Sequence, residues 1–338
     1  MTFRAIVSGN TGFLGSYVDS FLKKKNIKVL GLTRTNKEFS FDLTTPLLDI
    51  PEKIIDFNPN AFVHIAALYD MKAQKQDLYQ QNVIGTRNAL MLAYKLGIKN
   101  FVYVSTIAVT SNLTKQNIMP NDIDDYNAFP DWYGETKAQA ECLVRQWQSK
   151  FEKVIIFRPG ILIGDSLHGK IMRIDGPYYF IEWVRKNKRW LEKLKNLPLI
   201  LPGNQDVTLP MLPVDIAAKA IVEIINYHLN HDTNGCFFYH ITPQEPLLLK
   251  HFYASVFNHF KLSNKLVITP HLRFQFFNKI ISSILSVPPN VLKYAYNNKT
   301  YDIESTNLIL GNNWGFSFKN YEKTFWNGYE KFISHIGA

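Results

Sequence analysis

Cysteine is scarce in this 338-residue chain, and long hydrophobic runs are missing from it. Its two cysteines, Cys142 and Cys236, have no CxxC partner, which excludes a disulfide framework and a cysteine-based metal site. No stretch approaches the roughly 20 apolar residues that a membrane span requires. The opening residues, MTFRAIVSGN, lack the charged start and the long apolar core of a signal peptide. From these absences we expect a reduced, cytoplasmic setting and no metal.

Acidic residues are fewer than basic ones, and the formal net charge is +10. Such a charge attracts nucleic acid, anionic lipid or a polyanionic substrate. No nucleic-acid-binding motif accompanies it, so we expect no nucleic-acid partner and a basic surface that faces solvent. Contact with an acyl carrier, peripheral contact with a membrane surface, and pairing into a homodimer stay open.

Short apolar runs alternate with helical patterns through the first half of the chain. The apolar runs are residues 5–7, 29–32, 61–65, 101–104 and 154–157. Helical stretches lie near residues 13–25, 75–97 and 133–149. Near-continuous apolar strands separated by helices indicate a parallel sheet that is covered on both faces. The sequence therefore predicts an α/β fold with a doubly wound parallel sheet of the Rossmann type.

The alternation weakens after about residue 165, where glycine, proline and aromatic residues become frequent. A basic helical run extends from Trp183 to Leu197, and another helix is predicted to begin at Pro213. Residues 237–241 are typical of a strand. Beyond residue 246 the pattern is helical and aromatic, with an interruption at Pro288-Pro289.

A glycine-rich turn follows the first predicted strand and opens the first predicted helix. It reads Gly9-Asn10-Thr11-Gly12-Phe13-Leu14-Gly15. In a dinucleotide-binding fold, Gly9 permits the tight turn, Gly12 lets the pyrophosphate approach the backbone, and Gly15 lets helix and strand pack closely. The free amides and the dipole at the helix N-terminus hold the phosphates. Three glycines alone are weak evidence, but strand, turn and helix occur here in the required order.

The end of the second strand indicates which dinucleotide is bound. A carboxylate there grips the ribose hydroxyls and repels a 2′-phosphate, whereas an arginine binds the phosphate. The segment reads Gly31-Leu32-Thr33-Arg34, and no acidic residue follows before Glu38. Arg34 either clamps a 2′-phosphate through a bidentate contact or is a surface arginine in solvent. The segment favours NADP(H) over NAD(H).

Tyr133 and Lys137 lie four residues apart in a predicted helix and therefore share one face. A free tyrosine titrates near pH ~10, which is too high for ready proton exchange at neutral pH. A nearby lysine favours the phenolate and lowers the pKa of the phenol. Such a phenol can protonate the alkoxide formed when hydride reaches a carbonyl carbon, or remove the proton in the reverse direction.

Ser105 and Thr106 end the fourth predicted strand. They place hydroxyls at the carboxyl edge of the sheet, where ligands of open α/β folds bind. One of them can donate a hydrogen bond to a substrate carbonyl and stabilise the developing oxyanion. Either hydroxyl taken singly could simply end a strand, but together with Tyr133 they predict a catalytic centre.

In these motifs the chain resembles the extended short-chain dehydrogenase/reductase superfamily, from residue 3 to about residue 225. The resemblance implies a catalytic triad of Thr106, Tyr133 and Lys137, with Ser105 as the alternative hydroxyl. It also implies cofactor contacts in five segments. These are Gly9, Thr11, Gly12, Phe13, Leu14 and Gly15 in the turn; Asp42 and Leu43 near the adenine, in addition to the Arg34 predicted above from the second strand; Ala66 and Ala67 beside the diphosphate; Asn82, which organises the site; and Lys137, Pro159, Gly160 and Ile161 near the nicotinamide.

Finer details resemble one branch of that superfamily, the thioester and fatty-acyl reductases. Residues 103–106, 158–161 and 164–169 carry this similarity, which implies NADPH-dependent reduction of acyl thioesters to aldehydes or alcohols. Residues 64–70 and 175–179 are similar to free-standing relatives in polyketide and lipid metabolism. Many epimerases have a Tyr-Gly pair where Thr110-Ser111 stands here, which weakens a nucleotide-sugar interpretation.

These patterns together predict two units in the chain. Residues 1–165 are expected to form the NADP-binding Rossmann domain. Residues 166–338 are expected to form a smaller, mostly helical substrate lobe, with segments near residues 205–245 returning to the Rossmann domain.

Four features allow two interpretations each. His64 is either catalytic or, as its strand position favours, positional. Asp165 and Ser166 either position a substrate or shape a turn. The basic run 183–197 is either an ordinary surface helix, with its basic face in solvent and its apolar side buried, or a binding surface. In the second case its basic face contacts a membrane, an acidic carrier protein or the phosphates of coenzyme A. A second helical stripe is either core or a lipid-facing lid, and it comprises Phe276, Phe277, Ile280, Ile281, Ile284 and Leu285.

The residues and the resemblance together predict an NADPH-dependent oxidoreductase that reduces a carbonyl or acyl thioester of a hydrophobic substrate. The enzymatic alternative is an NAD-dependent 3β-hydroxysteroid or nucleotide-sugar dehydrogenase or epimerase. An alternative of another class is a catalytically silent, dinucleotide-sensing scaffold protein. The Tyr133–Lys137 pair argues against the scaffold, because a protein that only binds the dinucleotide gains little from a tuned phenol.

Overall fold

The computed structural model describes residues 3–34, 40–47, 49–70, 73–123, 129–270, 294–312, 314 and 316–336. The strands are β1 (Arg4–Ser8), β2 (Lys28–Leu32), β3 (Ala61–His64), β4 (Asn100–Val104), β5 (Asn117–Ile118), β6 (Lys153–Pro159), β7 (Ile161–Ile163), β8 (Leu199–Pro202), β9 (Thr208–Leu209), β10 (Met211–Pro213), β11 (Gly235–Ile241), β12 (Leu247–Leu248), β13 (Leu266–Thr269) and β14 (Thr300–Tyr301). The helices are α1 (Phe13–Lys24), α2 (Glu52–Phe57), α3 (Lys75–Leu78), α4 (Gly85–Lys95), α5 (Trp132–Gln146), α6 (Tyr178–Lys193), α7 (Val214–Asn230), α8 (Leu249–His259), α9 (Glu304–Leu310) and α10 (Phe318–Ile336). A π-helical turn (Tyr79–Ile84) joins α3 to α4, and a 3-10 turn (Ile107–Thr110) follows β4.

Six strands form one parallel sheet in the order β2-β1-β3-β4-β6-β11. The chain passes from β1 to β2 on one side and then crosses to β3 on the other side of β1, so the winding reverses there. Ligands of open α/β sheets bind outside the carboxyl ends of the strands at such a reversal. The strands predicted from the sequence are all present, and the doubly wound α/β fold is confirmed.

Helices cover both faces of this sheet, because the apolar residues of each strand alternate between the faces. In β1, Ala5 and Val7 pack with α1 and α7, whereas Ile6 packs with α4 and α5. Burial on both faces explains why the strands are near-continuous apolar runs in the sequence. The three predicted helical stretches correspond to α1, to α3 with α4, and to α5.

The chain returns to the sheet after leaving it at β6. Strand β11 pairs with β6 in register from Gly235 to Ile241 and forms the sheet edge. Helix α7 packs against α1 on one face. These elements fall within the segments expected to return, while the domain limits at residues 165 and 166 stay a prediction.

The remaining helices form a second core built on aromatic side chains. Phe180 of α6, Phe252 of α8 and Tyr329 of α10 are buried in it. The ring of Tyr178 stacks on that of Phe325 with centroids 5.2 Å apart. Short strand pairs, β7 with β10, β8 with β13 and β9 with β12, accompany these helices.

Helix α6 contains most of the predicted basic run but has different bounds. It begins at Tyr178, directly after Pro177, and ends at Lys193, so residues 194–197 lie outside it. The fixed φ of proline suits the residue that precedes a helix. Leu191 is buried, but the neighbouring Trp190 is 51% exposed. The helix therefore has a buried side and a solvated basic face.

Three features of the sequence lie outside the described residues: the stripe at residues 276–285, Pro288-Pro289 and Glu38. Within the ranges given above, no helix has both the length and the apolarity needed to cross a membrane. Among those same residues, no group of three histidine, cysteine or acidic side chains is arranged to hold a metal ion.

Candidate active site

One cavity of about 660 Å³ lies at the carboxyl ends of the central strands and extends into the second core. The predicted site residues that line it are Gly9, Gly12, Phe13, Leu14, Gly15, Ala66, Ala67, Ser105, Thr106, Tyr133, Lys137, Pro159, Gly160 and Ile161. The predicted site residues outside its lining are Thr11, Arg34, Asp42, Leu43 and Asn82. The structure thus brings the glycine turn and the predicted proton-transfer residues to one cavity.

The glycine turn has the geometry that a bound diphosphate requires. Gly9 has φ +74°, and a Cβ there would lie 2.8 Å from the backbone of Ala66. A Cβ on Gly15 would lie 2.0 Å from the Gly9 carbonyl oxygen, so the helix can approach the turn only with glycine there. Helix α1 has no side-chain N-cap and no acidic residue in its first turn. Its first amides are therefore available to phosphate oxygens, and the turn fits a dinucleotide.

The wall beside this turn is held by a buried histidine. His64 Nδ1 lies 2.7 Å from Ser8 Oγ, and its Nε2 lies 3.0 Å from Thr86 Oγ1. Ser8 Oγ in turn accepts hydrogen bonds from the amides of Ile65 and Ala66. Burial lowers the pKa of His64 to about 3, so the ring is neutral at physiological pH. His64 therefore positions the Ala66 backbone.

Asn82 organises the same wall from the π-helical turn. Its Oδ1 accepts a hydrogen bond from the Leu68 amide at 2.7 Å, and its Nδ2 donates to the Leu68 carbonyl at 3.2 Å. Nδ2 also donates to Thr136 Oγ1 at 3.1 Å, which links the wall to α5. Asn82 thus acts on the cavity through its neighbours.

Helix α5 presents Tyr133 and Lys137 to the cavity. Asp131 caps the helix by accepting a hydrogen bond from the Gly134 amide at 2.7 Å, so Tyr133 lies in the first turn. Lys137, one turn later, donates from Nζ to the Val104 carbonyl at 2.8 Å. Its Nζ also lies 4.3 Å from the centroid of the Tyr103 ring. The ammonium is therefore fixed at the end of β4.

Burial changes the pKa of both residues. It lowers the pKa of Lys137 to about 7, although Glu141 acts in the opposite direction. It raises the pKa of the Tyr133 phenol above 10.0, and a hydrogen bond with Thr106 offsets part of that rise. For Tyr133 this direction is opposite to the one expected from the sequence. The reason is that desolvation of the phenolate is the largest influence, while the Lys137 ammonium is bound to Val104.

The two hydroxyls at the end of β4 have different partners. Ser105 donates its only hydroxyl proton to the buried Glu141 carboxylate, at Oε2, over 2.6 Å. Thr106 Oγ1 accepts a hydrogen bond from the Ala108 amide at 3.2 Å and partners the Tyr133 phenol. Of the two hydroxyls, that of Thr106 is therefore the one beside the Tyr133 phenol.

The residues predicted on the adenosine side lie in the connection after β2. The Gly9 amide donates to the Leu32 carbonyl at 3.3 Å, so β2 ends beside the glycine turn. Arg34 follows two residues later and is exposed. Asp42 Oδ1 accepts hydrogen bonds at 2.8 Å from the amide and hydroxyl of Thr44, while Leu43 is buried. Cofactor contacts by Arg34, Asp42 and Leu43 stay predictions.

Gly160 and the pair Asp165-Ser166, both named from the sequence, have different structural contacts. A Cβ on Gly160 would lie 2.3 Å from the Pro210 carbonyl oxygen, so this strand end packs tightly at the cavity wall. Asp165 accepts hydrogen bonds from the amides of His168 and Lys170, and Ser166 Oγ donates to Asp215 at 2.5 Å. Of the two interpretations for Asp165 and Ser166, the structure supports the shaping of a turn.

Several cavity residues were missed by the sequence reasoning. The Tyr69 ring packs edge-to-face on Tyr133 with centroids 4.9 Å apart. Arg173 lies 5.0 Å from the Tyr69 centroid and pairs with Asp175 at 2.7 Å. Tyr69 and Asp175 stood in segments that carried the resemblance, whereas Lys299, from the C-terminal part of the chain, had no signal at all.

Comparison with known families gives a match to the family described as Male sterility protein. The matched stretch is residues 39–221, which is more than half of the chain. It includes the predicted adenosine-side residues from Asp42 onward, the end of β4 and both Tyr133 and Lys137.

Curated relatives match parts of the chain. A nonribosomal peptide synthetase of Aspergillus flavus is 31% identical over 180 residues, covering 49% of this chain and 16% of that protein. A UDP-glucose 4-epimerase of Vibrio cholerae is 29% identical over 209 residues, covering 57% and 63%. A 4-hydroxy-2-methyl-3-oxo-4-farnesyl-3,4-dihydroquinoline-1-oxide ketoreductase of Stigmatella aurantiaca is 28% identical over 173 residues, covering 48% and 51%. Each match spans less than two thirds of the relative's own length.

Solved structures share the fold over nearly the whole chain. The terminal R domain from the myxalamid PKS-NRPS biosynthetic pathway superposes with a TM-score of 0.75 at 20% identity, covering 99% of this chain and 91% of that one. A UDP-galactose 4-epimerase superposes with a TM-score of 0.67 at 15% identity, covering 97% and 99%. These similarities show a Rossmann-type architecture.

Proposed function

The chain belongs to the family described as Male sterility protein, within the extended short-chain dehydrogenase/reductase superfamily, and from this membership and the site we propose that it is an NADPH-dependent reductase. Its substrate class is a carbonyl compound or acyl thioester with a hydrophobic body. The observation that carries the proposal is that the glycine turn and the pair Tyr133 and Lys137 line one cavity.

The proposed chemistry assigns one role to each polar group of the cavity. When bound, the nicotinamide supplies hydride to the carbonyl carbon. Tyr133 gives its phenolic proton to the oxygen, which becomes a hydroxyl. Thr106 donates a hydrogen bond to that oxygen as negative charge develops. Lys137, with its pKa lowered by burial to about 7, is suited to hold the ribose and to return a proton to the phenolate at neutral pH.

The wall beyond Tyr133 supports a hydrophobic substrate. It is formed largely by apolar and aromatic side chains, among them Phe180, Leu249, Phe252 and Tyr253. Ligand pockets of this size and character commonly take small apolar molecules with a few polar anchors. The farnesylated substrate in the name of the Stigmatella aurantiaca ketoreductase is consistent with this class.

The proposal is tested by measuring NADPH oxidation with the purified protein. Long-chain acyl-CoA thioesters, long-chain aldehydes and sterol ketones serve as three panels, because they share an apolar body and differ in the reacting group. We expect turnover with at least one panel. Tight NADPH binding without turnover on any carbonyl would contradict the proposal and favour the scaffold alternative.

The preference for NADPH rests on Arg34 and is tested separately. We expect Arg34→Ala to weaken NADPH binding about 10- to 100-fold, because a charge-assisted contact to the 2′-phosphate is lost, and to leave NADH binding nearly unchanged. Arg87→Ala, an exposed arginine on α4 away from the cavity, serves as the control. Binding is measured by cofactor fluorescence.

An NAD-dependent epimerase or dehydrogenase is the second candidate, and the match to the Vibrio cholerae UDP-glucose 4-epimerase favours it. Preference for NAD(H), with unchanged affinity in Arg34→Ala, would support this candidate. Turnover of a UDP-sugar, without turnover of the acyl-CoA thioesters, aldehydes or sterol ketones, would identify the protein as this second candidate.

A further inference from the structure

Lys299 is a buried lysine that lines the cavity and has no role in the proposed reduction. Only 4% of its surface is exposed. The next residue, Thr300, donates its amide to the Gln116 carbonyl at 3.0 Å, and β14 pairs with β5. On the other side, Thr208 Oγ1 donates to the Lys299 carbonyl at 3.0 Å. The backbone of Lys299 is therefore anchored on both sides.

The Lys299 ammonium has few partners for a buried cation. Its Nζ donates to the Thr110 carbonyl, and no carboxylate of the described residues forms an ion pair with it. Burial lowers its pKa to about 8. Lys153, which is similarly buried at 7% exposure but lies outside the cavity, donates to two carbonyls, those of His228 and His231. Lys299 thus keeps donor capacity on the cavity side.

The other charges of the cavity do not balance Lys299. Arg173 and Asp175 pair with each other at 2.7 Å. Lys137, the other lysine of the lining, supplies no negative charge either. A buried charge without a counter-ion costs free energy, and such a group in a cleft is a candidate for ligand binding.

We propose that Lys299 binds an anionic group of the substrate, a carboxylate or a phosphate, within the apolar cavity. The substrate is then an amphiphile whose anionic group contacts Lys299 while its hydrophobic body lies against the aromatic wall. Lys299 contacts Thr110, the last residue of the short turn that Thr106 caps, so one turn connects this contact to Thr106. This inference rests on the proposed function for the identity of the reacting group, but the anion site itself does not need turnover.

The test measures binding of three probes of equal chain length, decanoate, decyl phosphate and decanol, to the full chain by calorimetry. We expect at least one anion to bind about 10- to 100-fold more tightly than decanol, because a charge-assisted hydrogen bond in a desolvated site contributes that much. Comparison of decanoate with decyl phosphate identifies which anion fits.

Three variants separate ligand binding from a structural role of Lys299. Lys299→Met should abolish the preference for the anion and leave decanol affinity unchanged, whereas Lys299→Arg should retain the preference. Lys153→Met, which removes an equally buried lysine elsewhere, should also retain it. A lysine that only supports the turn through Thr110 would, on substitution, weaken all three probes equally, and that result would overturn the proposal. Equal affinity of the unsubstituted protein for anions and decanol would overturn it as well.

The same measurements distinguish this inference from the proposed reductase activity. Binding is recorded without NADPH, so the absence of carbonyl reduction would leave the anion preference measurable. Conversely, turnover of neutral aldehydes without any anion preference would sustain the reductase and remove the role of Lys299. Thermal melting of each variant confirms that the folded protein is being compared.

Discussion

Tyr133→Phe is expected to lower kcat for carbonyl reduction about 100- to 10,000-fold, the usual contribution of a general acid. The substitution removes only the hydroxyl, so the edge-to-face contact with Tyr69 at 4.9 Å is kept. Cofactor affinity should stay unchanged, because the dinucleotide phosphates are expected at the glycine turn. The measurement is steady-state turnover with the substrate found in the panels, together with the dissociation constant for NADPH.

The control for this prediction is Tyr94→Phe, which removes the hydroxyl of a tyrosine that is 53% exposed and outside the cavity. It should leave kcat within a factor of about two, as surface substitutions usually do. Near-normal turnover in Tyr133→Phe would remove the phenol from the chemistry and, with it, the assigned proton donor. A loss of NADPH binding in the same variant would indicate a structural effect instead.

Glu141→Gln should have the largest effect on stability, a decrease of about 3–5 kcal/mol in the free energy of unfolding. Glu141 and Arg158 are both fully buried, and Arg158 donates to the Glu141 carboxylate from Nε at 3.1 Å and from Nη2 at 2.7 Å. Ser105 and Arg145 donate to the same carboxylate. Removing its charge leaves the Arg158 guanidinium buried without compensation. Urea unfolding of the two proteins measures the difference.

The pH dependence of stability gives this prediction a second readout. Burial alone would raise the pKa of Glu141, but the Arg158 guanidinium, with Arg145 and Ser105, lowers it from 4.5 to about 2. A carboxyl whose pKa is lowered on folding stabilises the protein above its unfolded pKa and loses that contribution as the pH falls through the folded pKa. We therefore expect the unsubstituted protein to lose this stability between about pH 4.5 and pH 2, and Glu141→Gln to lack that part of the acid transition.

A surface ion pair provides the matched comparison. Glu152 pairs with Lys99 at 2.6 Å, but the two side chains are 47% and 65% exposed. Solvent screens such a pair, so Glu152→Gln should leave the free energy of unfolding nearly unchanged. If both substitutions had the same small effect, the buried network would not be the stabilising feature inferred here.

The sequence alone was sufficient to predict the sheet, because a strand that is buried on both faces is a short run of mostly apolar residues. Residues 61–64 and 101–104 are apolar at nearly every position, and this pattern arises directly from a parallel sheet covered on both faces. The glycine turn was equally evident, since it directly follows the first strand and Gly15 is required by its close approach to the Gly9 carbonyl oxygen. The one-turn spacing of Tyr133 and Lys137 is likewise a property of a single helix.

Electrostatic details of the site were less predictable, because they depend on neighbours that are distant in the sequence. The lysine was expected to lower the pKa of Tyr133, but burial raises it and the Lys137 ammonium is bound to the Val104 carbonyl. The choice between Ser105 and Thr106 could not be made from two adjacent hydroxyls. The structure adds that Glu141 accepts the Ser105 hydroxyl proton, and the assignment of Thr106 stays a prediction.

By itself, the sequence determined the α/β class, the order of strands and helices in the first half, and the residues that form the glycine turn and the Tyr133–Lys137 pair. Only the tertiary structure decided that these two motifs share a cavity, that Trp190 is exposed, and that Lys299 lines the same cavity. The physical reason is the separation along the sequence of the residues that interact. Backbone geometry and amphipathic burial repeat over a few residues and leave a periodic record, whereas a cavity is closed by side chains whose only relation is their proximity in the folded chain.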